Sequence, residues 1–574
     1  MQVRRPSPTR VSVGVADVFV ALGLLAVLYM GVSLAFGAPP RVAGPTITLD
    51  PAALPYYGLR SLLRMAAAYA LSLAFTLIYG YVAARNRRAE MVMLPVLDIL
   101  QSVPILSLLP VVVLALVAIA PEGLGVELAA IVLIFTSQVW NMTFAFYHSL
   151  ITIPREMLEA AGVFRLNWWM RFKSVELPFA TISLVWNSMM SWAGGWFFLM
   201  AAEQFQLGGR DFQLPGLGSY LKTAAEQGNI SALLLGLAAL VVLIVALDQL
   251  VWRPAIAWAD KFNLQTVEEA EPPRSWFLDF LSRSVLLEHL YGWTIVPLGE
   301  ALDRLIGTQP AGSVPTSRPF AKRKGHFLGL IGTAATVVLA VVVIYGAAQA
   351  ITFMSGLAFD QWLLVLAAAL ATFLRVAVAL AIALAWALPV GVAIGTNHRL
   401  ANQLLPVVQV AASVPATALF PVVLLLLLGI PGGLNIAAVL LMLLGTQWYL
   451  LFNIIAGAMA IPEDLRYTTE SLGIRGLERW RSFILPAIFP FLVTGMITAT
   501  GGAWNASVVA EYVLFAGNVY QTLGLGALIA GSSASGEFRL LMASTLTMVA
   551  IVVLINRLVW RRLYALAEAR FHLD

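Results

Sequence analysis

Ile153-Pro154-Arg155-Glu156-Met157-Leu158-Glu159-Ala160-Ala161 is a short polar island between two long apolar runs, and Ile461-Pro462-Glu463-Asp464 opens a second such island in the other half of the chain. Each runs on to a Leu-Pro step, Leu177-Pro178 and Leu485-Pro486. A proline that opens a helix forfeits no needed hydrogen bond, and Glu156, Glu463 and Asp464 fall in the first turn, where the helix dipole favours anions. Each island therefore reads as a short helix held on a loop. Small Ala160 and Ala161 leave its backbone open to another protein, while Arg171, Lys173, Arg479 and Arg481 stay hydrated.

The islands belong to a repeat that covers most of the chain. Arg64, Pro95, Ser102-Val103-Pro104 and Pro110 return as Arg375, Pro406, Ser413-Val414-Pro415 and Pro421, each 311 positions later (375 less 64). After a three-residue length change the offset becomes 308 (448 less 140). It then relates Trp140 to Trp448, Ile153-Pro154 to Ile461-Pro462, Trp196 to Trp504, Glu203 to Glu511, and Gly216-Leu217-Gly218 to Gly524-Leu525-Gly526. Chance does not hold one register through so many positions.

The 574 residues are 60% hydrophobic and 11% charged, against roughly 45–50% and about 25% in soluble domains. Apolar runs of membrane-crossing length recur throughout. The expected spans are Ser12–Gly37, Arg60–Ala84, Met91–Ile119, Leu128–Leu150, Phe179–Ala202 and Ile230–Val251 in the first half. In the second they are Phe327–Ile351, Trp362–Ile394, Leu404–Leu428, Leu434–Ala460, Ala487–Val509 and Phe538–Trp560. The fold class expected is an all-α polytopic membrane protein, about twelve transmembrane helices in two parallel six-helix repeats. An even number of spans per repeat implies a pseudo-two-fold axis along the membrane normal, with a transport path between the copies. Basic residues gather in alternate loops, around Arg85, Arg87 and Arg88, from Arg155 to Lys173, and from Arg475 to Arg481. The positive-inside rule then puts both termini and both islands in the cytoplasm.

The net charge of +5 is explained by those loops and does not indicate nucleic acid. The boundaries expected are a first domain 1–258 with its island loop 153–178, a linker 259–325, and a second domain 326–574 with loop 461–486. In the linker Trp276, Phe277, Phe280 and Leu281 interleave with Asp279 and Arg283, which suits a helix on the membrane surface or one packed on its own loops. No Gly-Lys-Ser/Thr cradle, cysteine or metal-spaced histidine set occurs, so no catalytic residue, metal site or bound cofactor is expected.

Arg64 and Arg375 lie inside apolar spans, where an ionisable residue is costly and calls for a partner. Glu203 and Glu511, at the ends of the fifth spans, are the partners expected. Either a structural bridge or an anion-guiding gate fits that pattern. Pro104, Pro110, Pro415 and Pro421 in the third spans fit either a kinked helix beside a pathway or packing alone.

The two island loops resemble the signature of the ABC importer permease family: Glu-Ala-Ala, three residues, Gly, then twelve residues to Pro. The first has Glu159-Ala160-Ala161 and Pro178, with Arg165 at the glycine position; the second has Gly473 and Pro486, with Tyr467-Thr468-Thr469 in place of Glu-Ala-Ala. Ser61-Leu62-Leu63-Arg64, Ser102-Val103-Pro104, Trp196 to Glu203 and Gly216-Leu217-Gly218 look most like the nitrate, taurine, sulfonate and bicarbonate branch, in its duplicated single-chain form. The resemblance implies the type I importer fold in the bacterial cytoplasmic membrane, and a permease subunit for a small anion. It also implies two ATPase subunits, which hold ATP and magnesium and dock through Pro154, Glu159, Ala160, Ala161, Pro178, Pro462, Gly473 and Pro486. An extracytoplasmic substrate-binding protein completes the implied assembly. The rival is a twelve-span secondary transporter, which shares parallel six-helix repeats but needs no such loops.

Overall fold

A computed structural model describes residues 45–120, 124–207, 210–262, 275–282, 326–461 and 471–570, with scattered residues between 22 and 33 and residues 297, 303, 465, 467 and 469. The first half contains α1 (Leu54–Arg85), α2 (Arg87–Ser102), α3 (Ile105–Ile119), α4 (Leu124–Ile151), the short α5 (Arg155–Val163) and α6 (Leu177–Glu203). A hairpin of β1 (Gln204–Leu207) and β2 (Arg210–Gln213) follows, then α7 (Leu217–Glu226) and α8 (Ile230–Leu247). The second half contains α9 (His326–Met354), α10 (Phe359–Gly395), α11 (His398–Ser413), α12 (Ala416–Leu427), α13 (Gly433–Met459) and α14 (Leu485–Ala510). It closes with β3 (Tyr512–Phe515), β4 (Asn518–Gln521), α15 (Leu525–Ser535) and α16 (Phe538–Ile555).

Among the described residues seven helical stretches are long and apolar enough to cross a membrane, or eight if the bent pair α11 and α12 is one span. The bundle is thus polytopic and helical. The first expected span, Ser12–Gly37, falls largely outside the described residues; its helical residues Leu28 and Tyr29 pack against Ala350, Met542 and Phe353 of the second half. The third spans differ from expectation. Instead of one kinked helix, each is two helices separated at Val103 or Val414, both extended, with Pro104 or Pro415 capping the second piece. In the second half the pieces meet at 80°. A proline disfavours helical geometry in the residue before it, so Val-Pro ends one helix and starts another.

The repeat reaches down to single caps and bulges. Asn86 and Asn397 each accept two backbone N–H bonds, at 3.0 and 3.3 Å, and start α2 and α11. One-turn π segments interrupt both halves in register, at Phe172–Glu176 and Trp480–Ile484, and at Asp248–Trp252 and Asn556–Trp560. The first pair runs into Pro178 and Pro486, whose missing N–H favours a wider turn.

Buried residues of α1 and α10 show how each half is held together. Ser61, Ala68, Ser72, Thr76, Gly80 and Ala83 on α1, and Thr372, Ala379, Ala383, Ala387 and Gly391 on α10, form one small-residue stripe per helix. Such stripes let membrane helices approach closely where the hydrophobic effect gives no help. A Cβ on Gly80 would lie 2.7 Å from Phe146 of α4, and one on Gly391 2.7 Å from Ile454 of α13, the repeat equivalent of Phe146. The two halves then clasp each other at the hairpin end: the Ala516 N–H beyond β3 donates to the Ala225 carbonyl of α7 at 3.0 Å.

Candidate functional site

At the hairpin end of each half a buried carboxylate joins three helices. Glu203, at the last residue of α6 and 0% exposed, accepts from Arg64 Nη1 at 2.7 Å, Ser61 Oγ at 2.6 Å and the Gly218 N–H at 2.7 Å. Ser61 in turn accepts the Leu217 N–H at 2.9 Å, and Arg64 Nη1 also donates to the Pro215 carbonyl at 2.8 Å. In the second half Glu511 accepts from Arg375 Nη1 at 2.7 Å, Thr372 Oγ1 at 2.9 Å and the Gly526 N–H at 2.8 Å. Arg375 Nη1 reaches the Leu523 carbonyl at 2.8 Å. The structure therefore places Arg64 with Glu203 and Arg375 with Glu511 in matching ionic knots that tie α1 to α6 and α7, and α10 to α14 and α15.

The Gly-Leu-Gly motif belongs to these knots. Gly216 and Gly524 have ordinary extended φ values of −178° and 179°, so conformational freedom is not their purpose. A Cβ at either would lie within 2.2 Å of the carboxylate of Glu203 or Glu511, so glycine is required for space.

The knots differ in one respect. Arg64 donates from Nε and Nη2 to Glu127 of α4 at 2.6 and 2.8 Å, and Glu127 also accepts from Arg60 at 2.7 Å. At the equivalent positions stand Asn435, which accepts from Arg375 at 2.7 Å, and Ala371. Acid and base are replaced together, so both knots stay neutral. Sequence reading missed Glu127 because only its equivalence to an asparagine marks it.

At the opposite end lie the island loops. Pro154 caps α5 rather than sitting inside it, and Glu159 and Ala160 are exposed. Ala161 is turned into the bundle, 3% exposed, and its equivalent Thr469 is buried as well. The open face is instead continued by Phe164, 76% exposed, and in the second loop by its repeat equivalent Leu472, 69% exposed. Neither was singled out from sequence. Gly473 has φ +68°, in the left-handed region, and Arg165 holds φ +50° at the same position of the first loop. Both loops thus keep the same left-handed backbone at this position. An L residue there costs about 1–2 kcal/mol, so Arg165→Gly is expected to stabilise the protein by about 1 kcal/mol, checked by denaturant titration of the purified chain. Pro178 and Pro486 open α6 and α14. Pro462 lies outside the described residues.

The first loop has a buried ionic fastening. Buried Glu176 meets Arg85 from α1, and Arg171 Nε lies 2.7 Å away, whereas Ile484 replaces Glu176 in the other half. Linker residue Asp303 accepts from Lys173 Nζ at 2.6 Å and Trp169 Nε1 at 2.8 Å, and those bonds hold its carboxyl below the usual carboxylate range. Trp169 is therefore bonded to the linker as well as placed at the bundle edge. The linker helix Trp276–Ser282 packs beside the Arg253–Ala259 helix and leaves Trp276 and Phe280 exposed.

Between the halves is a cavity of about 220 Å³. Its walls are contributed in repeat-related pairs, among them Pro110 with Pro421, Met200 with Val508, and Leu221 with Ile529. It therefore straddles the pseudo-two-fold axis. It does not include Arg64, Glu203, Arg375 or Glu511 in its walls.

Residues 76–251 and 387–572 each match the model of the binding-protein-dependent transport system inner membrane component. Curated relatives include the nitrate import permease protein NrtB of Synechocystis sp., 26% identical over 144 residues, 25% of this chain and 51% of that protein. The bicarbonate transport system permease protein CmpB of Synechococcus elongatus is 26% identical over 145 residues, 25% of this chain and 51% of the relative. The taurine transport system permease protein TauC of Escherichia coli is 26% identical over 168 residues, 29% and 56%. The chain spans about half the length of the curated relatives it matches. The two family matches together take in more than half the chain and fall on the two structural repeats, so this multi-pass membrane protein belongs to the family of binding-protein-dependent transport system inner membrane components and carries that family's domain twice.

Proposed function

We propose that this chain is the permease of an ATP-driven importer for a small anion of the nitrate, bicarbonate or sulfonate kind. The observation that carries this reading is the pair of repeat-related loops, which expose an apolar side chain at equivalent positions, Phe164 and Leu472, at one end of the bundle. A buried apolar anchor ringed by polar residues is what a docking partner needs. Each loop would receive one ATPase subunit, with ATP and magnesium on that subunit, and both loops and both termini would face the cytoplasm. The domains would be 1–258 and 326–574, joined by the 259–325 linker, and a substrate-binding protein would deliver solute at the hairpin end. The nitrate, bicarbonate and taurine permeases among the relatives support an anion as substrate.

The secondary-carrier reading is weaker on the geometry. Such a carrier needs a membrane carboxylate free to exchange its ion, whereas Glu203 and Glu511 are each bound by an arginine, a hydroxyl and a backbone N–H. The assembly test is mass measurement of the purified complex: one copy of this chain with two ATPase subunits is expected. A stable complex with two copies of this chain, or a chain that purifies without any ATP-hydrolysing partner, would reject the proposal.

A further inference from the structure

The walls of the cavity begin at Leu106 and Thr417, in the first turns of α3 and α12. The half-spans before them, α2 and α11, therefore lie between the cavity and the island-loop end, where Arg85 beside α2 meets Glu176. These two helices are equivalent in the repeat and are held differently. Glu90 of α2 accepts from the Tyr147 hydroxyl of α4 at 2.6 Å, and the Met93 carbonyl of α2 accepts from the Tyr79 hydroxyl of α1 at 2.7 Å. Both bonds fasten α2 to its own half. The equivalents of Tyr147, Tyr79 and Glu90 are Ile455, Val390 and Ala401, none of which has a side chain able to make a hydrogen bond. Ile455 and Ala401 are buried, so this seat of α11 on its own half is apolar. In a bilayer an apolar seat gains little from the hydrophobic effect, because lipid tails are as apolar as the side chains.

A polar contact of α11 runs instead to the other half. Gln409 Nε2 donates to Asp248 Oδ1 at 3.3 Å and lies against the Met189 sulfur of α6. Asp248 is buried at the start of the π segment that follows α8, and π turns recur where helices carry function. Its other oxygen accepts from Arg253 Nε at 2.9 Å and from Gln249 Nε2 at 3.1 Å. Both donors belong to the stretch of chain that carries Asp248, so the carboxylate keeps its ionic partner when Gln409 departs. The contact can open without stranding a buried charge, the event that makes a broken buried pair costly. The same acid and amide, exchanged, stand at the equivalent positions as Asp98 on α2 and Asn556 in the second π segment. What α2 has in addition is its two tyrosine bonds. Each half-span ends in an extended valine before a proline, Val103 or Val414, and at Val414 the axis turns by 80° into α12. A few torsions at such a break can absorb a rotation of the whole arm.

We propose that α11 is the moving arm of a gate on the island-loop side of the pathway: it swings about Val414-Pro415, Gln409 holds it shut against Asp248, and α2 stays fixed. This rests on the importer reading above and adds to it which of two equivalent half-spans moves. One fixed jaw and one moving jaw are enough to open a path between the halves.

The chain has no cysteine, so introduced thiols are the sole labelling sites. One spin-labelled pair is Gln403→Cys on α11 with Ser535→Cys at the end of α15, and the equivalent pair is Val92→Cys on α2 with Gln227→Cys just after α7; all four positions are exposed. Distances are read by pulsed electron resonance in the complete complex with its ATPase and binding protein in lipid nanodiscs, without nucleotide and trapped with ATP and vanadate. The 403–535 distance is expected to shift by about 5 Å or more between the two states, and the 92–227 distance by less than about 2 Å. In a second arm Gln409→Cys and Asp248→Cys are joined by a short bifunctional thiosulfonate. Uptake in proteoliposomes is expected to fall by about tenfold or more on crosslinking and to return on reduction, which a merely structural contact would not show. The labelling arm uses exposed positions alone and stays decisive should the Asp248→Cys variant fail to accumulate. An unmoved 403–535 distance, a 92–227 shift of the same size, or uptake indifferent to the crosslink would each overturn the inference. Wild-type complex without ATP-driven uptake of nitrate, bicarbonate or taurine would instead overturn the importer reading, and that result appears before any label is introduced.

Discussion

Arg64→Ala and Arg375→Ala are expected to cut the yield of folded protein severely, because each strands a fully buried carboxylate. Breaking a buried ion pair from one side costs about 3–5 kcal/mol, a large part of the total stability of about 5–15 kcal/mol typical of a domain. Removing the acid instead separates the two halves. In Glu203→Gln, Arg64 keeps the bidentate contact to Glu127, while in Glu511→Gln the acceptors left to Arg375 among the described residues are neutral, Asn435, Thr522 and the Leu523 carbonyl. Glu511→Gln should therefore be the more damaging of the two, and adding Asn435→Glu should recover much of its yield. Detergent-extracted yield and the melting temperature of the purified protein read this order. Arginines that served to guide an anion would give the opposite outcome, normal yield with lowered uptake, and that result would remove the structural account of the knots. Gly216→Ala and Gly524→Ala are expected to resemble the arginine variants, since the added carbon falls on the carboxylate.

Much of this architecture is legible in the sequence because membrane spans and repeats write themselves in long strings. Twelve apolar runs at two fixed offsets suffice for the helical repeat. Arg64 and Glu203 stand out because charge in an apolar run is conspicuous. What stayed hidden depends on geometry that no spacing encodes. The breaks at Val103 and Val414 read as kinks, because Val-Pro inside an apolar run does not say whether the helix resumes in line or, as α11 and α12 do, at 80°. The hairpins β1–β2 and β3–β4 are four residues a strand, too short to show an alternating pattern. Gly216 is in sequence only a repeated glycine, and the space it leaves for Glu203 shows in the packing alone. Glu127 acquires meaning only beside Asn435.

The helical period also decides which residues of the loop helix can meet a partner, and it separates two neighbouring alanines that the sequence presents as equivalent. Ala160 is exposed and Ala161 is buried against the bundle. Ala160→Glu should leave folding intact and disturb only docking, whereas Ala161→Glu pushes a carboxylate into an apolar contact and should lower folded yield. The larger docking effect is expected at the tips. Phe164 and Leu472 occupy equivalent positions on the two loops, immediately before the left-handed residues Arg165 and Gly473, and both leave most of their apolar surface in solvent. A large side chain held out on a short rigid helix or turn is the kind of anchor that dominates a small interface, where truncation typically costs about 2 kcal/mol or more. Phe164→Asp and Leu472→Asp are each expected to weaken ATPase binding by about thirtyfold or more and to abolish ATP-driven uptake, with yield and melting temperature unchanged. Binding measured by surface capture of the purified ATPase separates the cases. Full ATPase binding and full uptake in both aspartate variants would mean that neither loop receives the motor, and the importer reading would fall with them.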